Sequence, residues 1–386
     1  MISFKKRKNT IGLVLSYLKS RGTERQALKL AKGFIEKGAH VVLFVVQGWG
    51  LEHMYQAFRD AGAEVVNVGK PKTIGQKSVN LSRVFSLAML ARKYRCDILL
   101  SRVGRSNQIC GLAGRLAFIP TISVLSGPAL PRRVVNNRFK RLILAIRIGK
   151  RFGFPGRIVS VSKEGGANFS VFYPFWSKRV TAIPNGVDIS LEKQNADSPI
   201  RLNKQKFHLC FSGSLELSRK GLDLLLEALK HLVFSLGRNR ICLVLIGTGE
   251  DEAKLRDLVQ EYGLIDHVVF AGEQSNPFPI IKQCNVFVLP SRYEGFPNAL
   301  LEAMALGLCC ISADCDTGPR EIIENGQNGL LVPVGDNRAL ADAIARVEQD
   351  FDLRNRLARN GLKTITERFS SQTMIDAYYE LIMRIR

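Results

Sequence analysis

Pro290-Ser-Arg-Tyr-Glu-Gly-Phe-Pro-Asn-Ala-Leu-Leu-Glu-Ala-Met-Ala-Leu-Gly-Leu-Cys-Cys-Ile-Ser-Ala-Asp314 is the stretch on which the reading of this chain turns. Between Gly295 and Ala313 the only charged side chain is Glu302. From Asn298 to Leu308 the remaining residues are apolar or small all the way round, the composition of a buried helix. Pro297 suits the first helical position, which places Glu294 and Gly295 in the turn just before a helix N-terminus. A carboxylate alone on a buried helix is costly unless it is hydrogen-bonded or faces a polar ligand. One Glu is therefore expected at the mouth of the helix and Glu302 about two turns inside it, both facing something polar. The structural alternative is a capping Glu294 with a core Glu302 bonded to backbone.

The helix lies between two apolar runs, Val286–Pro290 and Cys309–Ala313, and this alternation continues in both directions. Upstream of it come Phe207–Phe211, Ile241–Ile246 and His267–Phe270; Gly329–Val332 follows. Three helical patterns, Asn337–Glu348, Leu353–Arg368 and Ser371–Arg384, close the chain. The first half repeats the scheme with Ile11–Leu18, His40–Val46, Glu64–Val68, Asp97–Arg102, Thr121–Ser126, Arg157–Ser162 and Val180–Pro184. Helices such as Thr23–Lys37 and Leu81–Lys93 lie between these runs. Continuous rather than alternating apolar strands separated by helices imply parallel sheets covered on both faces. The expected fold is α/β, with two doubly wound Rossmann-like domains whose strand edges face each other across a cleft. The polar segment 191–206 is the expected linker, dividing an N-terminal domain 1–190 from a C-terminal domain 207–369. Helix 370–386 is expected to pack back onto the first.

Charge divides along the same line. Residues 1–190 hold 33 Lys+Arg against 8 Asp+Glu, a net of +25; residues 191–386 hold 23 against 26, a net of −3. Solubility alone does not explain confinement of the charge to one half. It points to a polyanionic partner: nucleic acid, an anionic membrane face or a phosphorylated substrate. The eight Cys show no Cys-x-x-Cys spacing and no His placed for a metal, so they read as buried free thiols in a reducing compartment. Lys5-Lys-Arg-Lys8 before Ile11–Leu18 imitates a signal peptide, but no small-residue cleavage site follows and the apolar run reads as a first strand. No segment approaches the length of a transmembrane helix. The expected location is cytoplasmic, peripheral at the inner face of the plasma membrane.

Three strand-to-helix turns of the second half carry features of anion sites. After Phe211, Gly213 and Ser214 lead to Arg219 and Lys220, which open a helix expected near Gly221. Two cations beside the exposed N–H groups and positive dipole end of a helix bind anions; the alternative is a solvated Arg-Lys pair. Gly247-Thr-Gly249 follows a buried strand, a weak signal that plain tight turns share. The third turn is the Glu294 segment, where the N–H groups of Gly295, Phe296 and Asn298 point out of a helix start. In the first half, Ser20-Arg-Gly-Thr-Glu-Arg25 offers another glycine-containing turn at Gly22.

These residues resemble glycosyltransferase family 4. The resemblance lies in Gly213 to Ala228, Gly247-x-Gly249, Pro290-Ser-x-x-Glu-Gly-Phe-Pro-Asn-Ala-Leu-Leu-Glu-Ala-Met304, Gly318-Pro-Arg-Glu-Ile322, Asn328-Gly-Leu-Leu-Val-Pro333 and Ile183-Pro-Asn-Gly-Val-Asp188. It covers nearly the whole chain and implies the GT-B fold and a retaining, metal-independent transferase using a nucleotide sugar, with no cofactor. It further implies that Glu294 binds donor-sugar hydroxyls and Glu302 the ribose. Arg219 and Lys220 would neutralise the diphosphate, and Gly295, Phe296, Pro297 and Asn298 would steady sugar and diphosphate. Gly22 would approach the diphosphate from the first domain. Two departures stand out: Ser214 occupies a position where many members have Arg, and Ser126 one where many have His. Uridine is the expected donor base, by resemblance to the family.

Between Asp97 and Glu164 there is no acidic residue, and Arg132 to Arg151 combines eight cations with Phe139, Leu142, Ile143 and Ile146 at helical spacing. Arg132, Arg133, Arg138, Lys140, Arg141 and Arg147 suit an interfacial helix on an anionic leaflet or a groove for a polyprenyl diphosphate. The alternative is a core-facing stripe with a solvated basic face. The expected acceptor is a lipid-linked or surface-polysaccharide glycan; nucleic acid is not an expected partner. Two competing readings stay open, a non-catalytic polyanion- or membrane-binding protein of this fold, supported by Ser214 and Ser126, and a sugar-nucleotide 2-epimerase.

Overall fold

Thr10–Leu15 is buried at every position and forms strand β1, which no purely solvent-facing strand of that composition could do. The computed structural model describes residues 9–18, 22–48, 50–69, 81–102, 105–127, 156–190 and 200–385. The chain divides into two compact units, Met1–Asn185 with Gln372–Arg386, and Gly186–Ser371.

In the first unit, β1 is joined by β2 (His40–Val45), β3 (Glu64–Asn67), β4 (Ile98–Arg102), β5 (Thr121–Leu125), β6 (Arg157–Ser160) and β7 (Val180–Ala182). The sheet order is β3-β2-β1-β4-β5-β6-β7 with every pairing parallel. Strand order reverses between β1 and β4, where Ile11 pairs with Ile98, so the ligand edge of this sheet lies beyond those two strands. The C-terminal helix Ser371–Ile385 returns to this unit. Its Asp376 pairs with Lys37 at 2.5 Å, and Ile375 packs so closely on Gly33 that a Cβ there would lie 2.4 Å from its side chain.

The second unit repeats the plan with β8 (Phe207–Ser212), β9 (Ile241–Ile246), β10 (Val268–Gly272), β11 (Val286–Leu289), β12 (Cys309–Ala313) and β13 (Leu330–Val332). Their order is β10-β9-β8-β11-β12-β13, again all parallel, with the reversal between β8 and β11. The helix Asn298–Ala305 buries Leu300, Leu301 and Met304 against the sheet, each contributing roughly 1.5–3 kcal/mol of apolar burial.

The boundary falls earlier than residue 190. Val187 pairs with Ser370 inside the second unit: its N–H donates to the Phe369 carbonyl at 2.9 Å and its carbonyl accepts from Ser371 at 2.8 Å. Residues 191–199 of the expected linker lie outside the described residues. Residues 200–206 are tied to the second unit, since Gln283 bonds both the Ile200 carbonyl and the Leu202 N–H and Lys206 bonds the Asp266 carbonyl. All eight cysteines are buried and none is in a disulfide. Burial pushes the thiols of Cys96, Cys110, Cys309 and Cys315 up to about 12. Among the described residues no helix is long and apolar enough to cross a membrane.

Candidate active site

The carboxyl ends of β8 and β11 are the two edges of the reversal in the second sheet, and the turns leaving them carry most of the residues singled out in the sequence. After β11, Glu294 is buried, and its Oε1 accepts from Lys220 Nζ at 2.6 Å and from Ser291 Oγ at 2.7 Å. Among the described residues no hydrogen bond reaches its Oε2. The Thr317 hydroxyl donates to the Glu294 carbonyl, and the Cys315 thiol donates to the Ser291 carbonyl at 2.9 Å. The carboxylate is thus held by Lys220 and Ser291, and the loop that carries it by Cys315 and Thr317.

Lys220 reaches Glu294 because Gly221 turns the chain sharply. Leu217–Lys220 is a single helical turn, Gly221 follows with φ +63°, and the helix Leu222–Lys230 begins after it. A Cβ on Gly221 would lie 2.2 Å from the Pro290 carbonyl, so only glycine lets these two loops meet. The helix therefore opens at Leu222, and Arg219 and Lys220 close the preceding turn rather than opening it. They also diverge. Arg219 forks onto Glu216 at 2.8 and 3.0 Å, and this contact, helped by the Ser214 hydroxyl, holds the Glu216 carboxyl down to about 2. Lys220 bonds Glu294, whereas Arg219 bonds Glu216 and stands close enough to Glu294 to feel its charge.

Gly247 has φ +132°, and a Cβ there would lie 2.0 Å from the Gly213 carbonyl. Gly249 sits equally close to the Leu215 backbone, whose N–H bonds the Thr248 carbonyl at 3.0 Å. The two glycines of Gly247-Thr-Gly249 therefore pack the turn after β9 onto the turn after β8, bringing Gly213 and Ser214 into one cluster with them. Asp251 ties in the same turn by accepting from the Leu217 N–H at 2.9 Å.

Two expectations for the helix need correction. Pro297 is its N-cap rather than its first residue; its carbonyl accepts from Leu300 and Leu301. Glu302 is half-buried rather than buried, and four residues past Asn298 it stands about 6 Å along the axis, one turn in rather than two. The loop runs to Pro297, so the helix starts only four residues before Glu302. Gly295 and Asn298 are half-buried and Phe296 is buried, its ring 5.7 Å from that of Phe369.

Gly22 lies in the first unit, at the first position of the helix Gly22–Glu36 after β1. Ser126 follows β5 and is half-buried. Arg132, Arg133, Arg138, Lys140, Arg141 and Arg147 lie outside the described residues. Sequence reading missed Thr317, the Glu216 fork, and Arg292, which forks onto Asp223 at 2.8 and 2.6 Å while its N–H bonds the Arg219 carbonyl. It also missed Arg102, buried at the end of β4 with Nη2 on Asn185 Oδ1 at 2.7 Å. Only Ser291 was signalled, as the serine of the quoted motif. Among the described residues no group of three or more His, Cys, Asp or Glu is arranged to hold a metal ion. What the cluster offers chemically is the Lys220 cation with Arg219 nearby, an anchored carboxylate and the N–H groups of a helix start, an arrangement that takes an anion beside hydroxyl groups.

Two parallel-sheet units with these strand orders are the GT-B architecture of nucleotide-sugar glycosyltransferases. HepE of Anabaena, solved in complex with UDP, is similar with a TM-score of 0.78 and 20% identity, over 97% of this chain and 100% of that one. The model described as glycosyl transferases group 1 matches residues 192–364, and the model described as glycosyltransferase family 4 matches residues 20–191. The lipopolysaccharide core biosynthesis glycosyltransferase LpsE of Rhizobium meliloti is 26% identical over 94% of this chain and 96% of its own. An N,N'-diacetylbacillosaminyl-diphospho-undecaprenol alpha-1,3-N-acetylgalactosaminyltransferase of Campylobacter jejuni is 26% identical over 86% and 88%. The chain belongs to glycosyltransferase family 4, and is a transferase enzyme.

Proposed function

We propose that the chain transfers a hexose or N-acetylhexosamine, with retention, from a uridine diphosphate sugar to a lipid-linked or surface-polysaccharide glycan presented at an anionic membrane. The observation that carries this reading is the Lys220–Glu294–Ser291 cluster at the reversal between β8 and β11. In open parallel sheets that is where ligands bind.

The sugar hydroxyls would take Glu294 Oε2, whose orientation Ser291 and Lys220 hold through Oε1. Glu302, one turn along the helix, would bind the ribose hydroxyls. The diphosphate then lies against Lys220, with Arg219 and the turns at Gly213, Ser214, Gly247 and Gly249 around it, and the N–H groups of Gly295, Phe296 and Asn298 near the sugar.

As the C1–O bond to the diphosphate breaks, negative charge grows on the leaving oxygen. A cation and N–H donors fixed in place stabilise that charge more than the ground state. The acceptor oxygen bonds C1 on the face the diphosphate leaves, and its proton passes to the departing phosphate oxygen. No protein base takes that proton. Lys220 and Arg219 supply the positive charge, so neither a metal nor a cofactor is required. Activity abolished by a chelator and restored by a divalent cation contradicts that part.

LpsE acts in lipopolysaccharide core biosynthesis and the Campylobacter enzyme is named for a diphospho-undecaprenol substrate, which supports a polysaccharide or lipid-linked acceptor here. The net charge of +25 in residues 1–190 supports an anionic membrane surface as partner. The test is glycan synthesis in cells whose own copy carries Glu294→Ala or Lys220→Ala. Loss of a glycan is expected; unchanged glycans with either variant overturn the proposal.

A further inference from the structure

The helix Leu81–Lys93 buries Val84, Leu87, Ala88 and Ala91 and so has its core-facing stripe. Its opposite face carries a second apolar stripe at four-residue spacing: Leu81, Phe85 and Met89 are 66%, 56% and 72% exposed. A helix with one buried face needs only polar residues on the other. The stripe runs on past the helix end, because Arg92 donates to the carbonyls of Leu116 and Ala117 and its guanidinium lies 6.0 Å from the ring of Phe118, which is 87% exposed.

Backbone geometry marks the same edge. The helices Leu81–Lys93 and Arg105–Ala117 feed the neighbouring parallel strands β4 and β5, and each ends on a left-handed residue. Glycine occupies such positions at no steric cost. Here they are Arg95, φ 52°, and Phe118, φ 58°, both exposed. Phe118 is strained relative to glycine and its ring adds little to the core, so folding does not account for it.

The charge on the two helices themselves is of one sign. Between Glu64 and Glu164 the chain holds twenty Lys+Arg and a single acid, Asp97, whose carboxylate accepts from the Thr10 N–H. Arg92, Lys93, Arg95, Arg105 and Arg115 are exposed on these two helices and the residues that end them. Glu64, on β3, is a described acid that reaches this edge from another element, beside Tyr94, and it pairs with His40 at 3.6 Å. A second copy of the chain docking here would bring like charges together. An anionic bilayer meets both features, apolar side chains entering the headgroup boundary and cations at the phosphates.

We infer that the exposed stripe Leu81, Phe85, Met89 and Phe118, with Arg92, Lys93 and Arg95 beside it, is a face on which the enzyme docks to anionic lipid. This deepens the proposal that the acceptor is presented at a membrane and rests on it; donor chemistry in solution does not involve the face.

The experiment is sedimentation of the purified full chain with sucrose-loaded vesicles of phosphatidylcholine containing phosphatidylglycerol, and with phosphatidylcholine alone. The wild type binds only the anionic vesicles and releases them in high salt. Phe85→Ser, Met89→Ser and Phe118→Ser together lower the partition coefficient at least tenfold. Arg92→Glu, Lys93→Glu and Arg95→Glu each lower it about fivefold, a basic residue near an anionic surface being worth about that factor. Donor hydrolysis in solution stays unchanged in all of them, which shows that the variants fold. Three results overturn the inference: a wild type that does not bind anionic vesicles, a triple serine variant that binds as well as wild type, or a concentration-dependent dimer that Phe118→Ser dissolves. If wild type binds vesicles but hydrolyses no donor, the docking face stands and the transferase site is at fault.

Discussion

Lys220→Met separates what the Lys220–Glu294 pair does for the fold from what it does for the reaction. The two side chains are 11% and 7% exposed, and their 2.6 Å contact is worth about 6 kcal/mol of attraction at an effective dielectric of about 20. Desolvating both ions costs several kcal/mol each, so the pair contributes little net stability. Removing one ion is different, because the other is left buried and charged. Lys220→Met leaves Glu294 with Ser291 as its one hydrogen-bonding side chain among the described residues, at a cost of about 3 kcal/mol, the low end for such a site because Lys220 retains some contact with water and Arg219 stands nearby. Glu294→Gln should cost a similar amount. The double variant removes both charges and should come within about 1 kcal/mol of wild type. Activity will not follow stability. Each single variant should lose about 100- to 1,000-fold in release of nucleoside diphosphate, as when one fixed donor to a developing anion is lost, and the double variant should recover none of it. Urea unfolding measures the first quantity and donor hydrolysis the second. A double variant as unstable as the sum of the singles, or one that regains turnover, refutes the reasoning.

Gly221→Ala and Gly247→Ala force a Cβ to within 2.2 and 2.0 Å of a carbonyl oxygen, and each should cost about 2–4 kcal/mol in urea unfolding. Gly272→Ala, at φ +67° with open space around it, should cost only about 1 kcal/mol. The Glu216 carboxyl is held down to about 2 from 4.5 by the Arg219 fork, so the stability it contributes is present above pH 4.5 and lost as pH falls from 4.5 to 2. With the pair 31% and 27% exposed the loss should be about 1 kcal/mol, and Glu216→Gln should abolish that part of the acid dependence in urea unfolding followed at pH 5 and pH 3. With four buried thiols pushed up to about 12, native protein at pH 8 should release less than about one equivalent of chromophore from Ellman's reagent, and all eight thiols should react in urea.

The strands were readable from sequence because parallel sheets leave a simple mark: every residue of Ile241–Ile246 is apolar or Cys, and every one is buried. Glu294 was readable for a related reason, a charge in an otherwise apolar stretch. What failed depended on contacts between distant segments. Nothing in Ser-Arg-Lys-Gly shows that Arg219 turns back to Glu216 while Lys220 crosses to the β11 loop; the positive φ of Gly221 decides that. Thr317 stands 23 residues from Glu294, and only the fold brings its hydroxyl there. The unit boundary moved for the same reason, since the pairing of Val187 with Ser370 is invisible in either local sequence. The exposed stripe Leu81, Phe85 and Met89 was hidden by its own helix, because both faces are apolar and the pattern reads as core.

The donor site is tested most directly by release of nucleoside diphosphate from a panel of nucleotide sugars, comparing wild type with Glu294→Gln and Lys220→Met at equal folded fraction. Wild type should hydrolyse at least one donor, a uridine diphosphate sugar, and both variants should fall at least about 100-fold. A wild type that turns over no donor, or a folded variant that matches it, contradicts the assignment of Glu294 and Lys220 to the reaction.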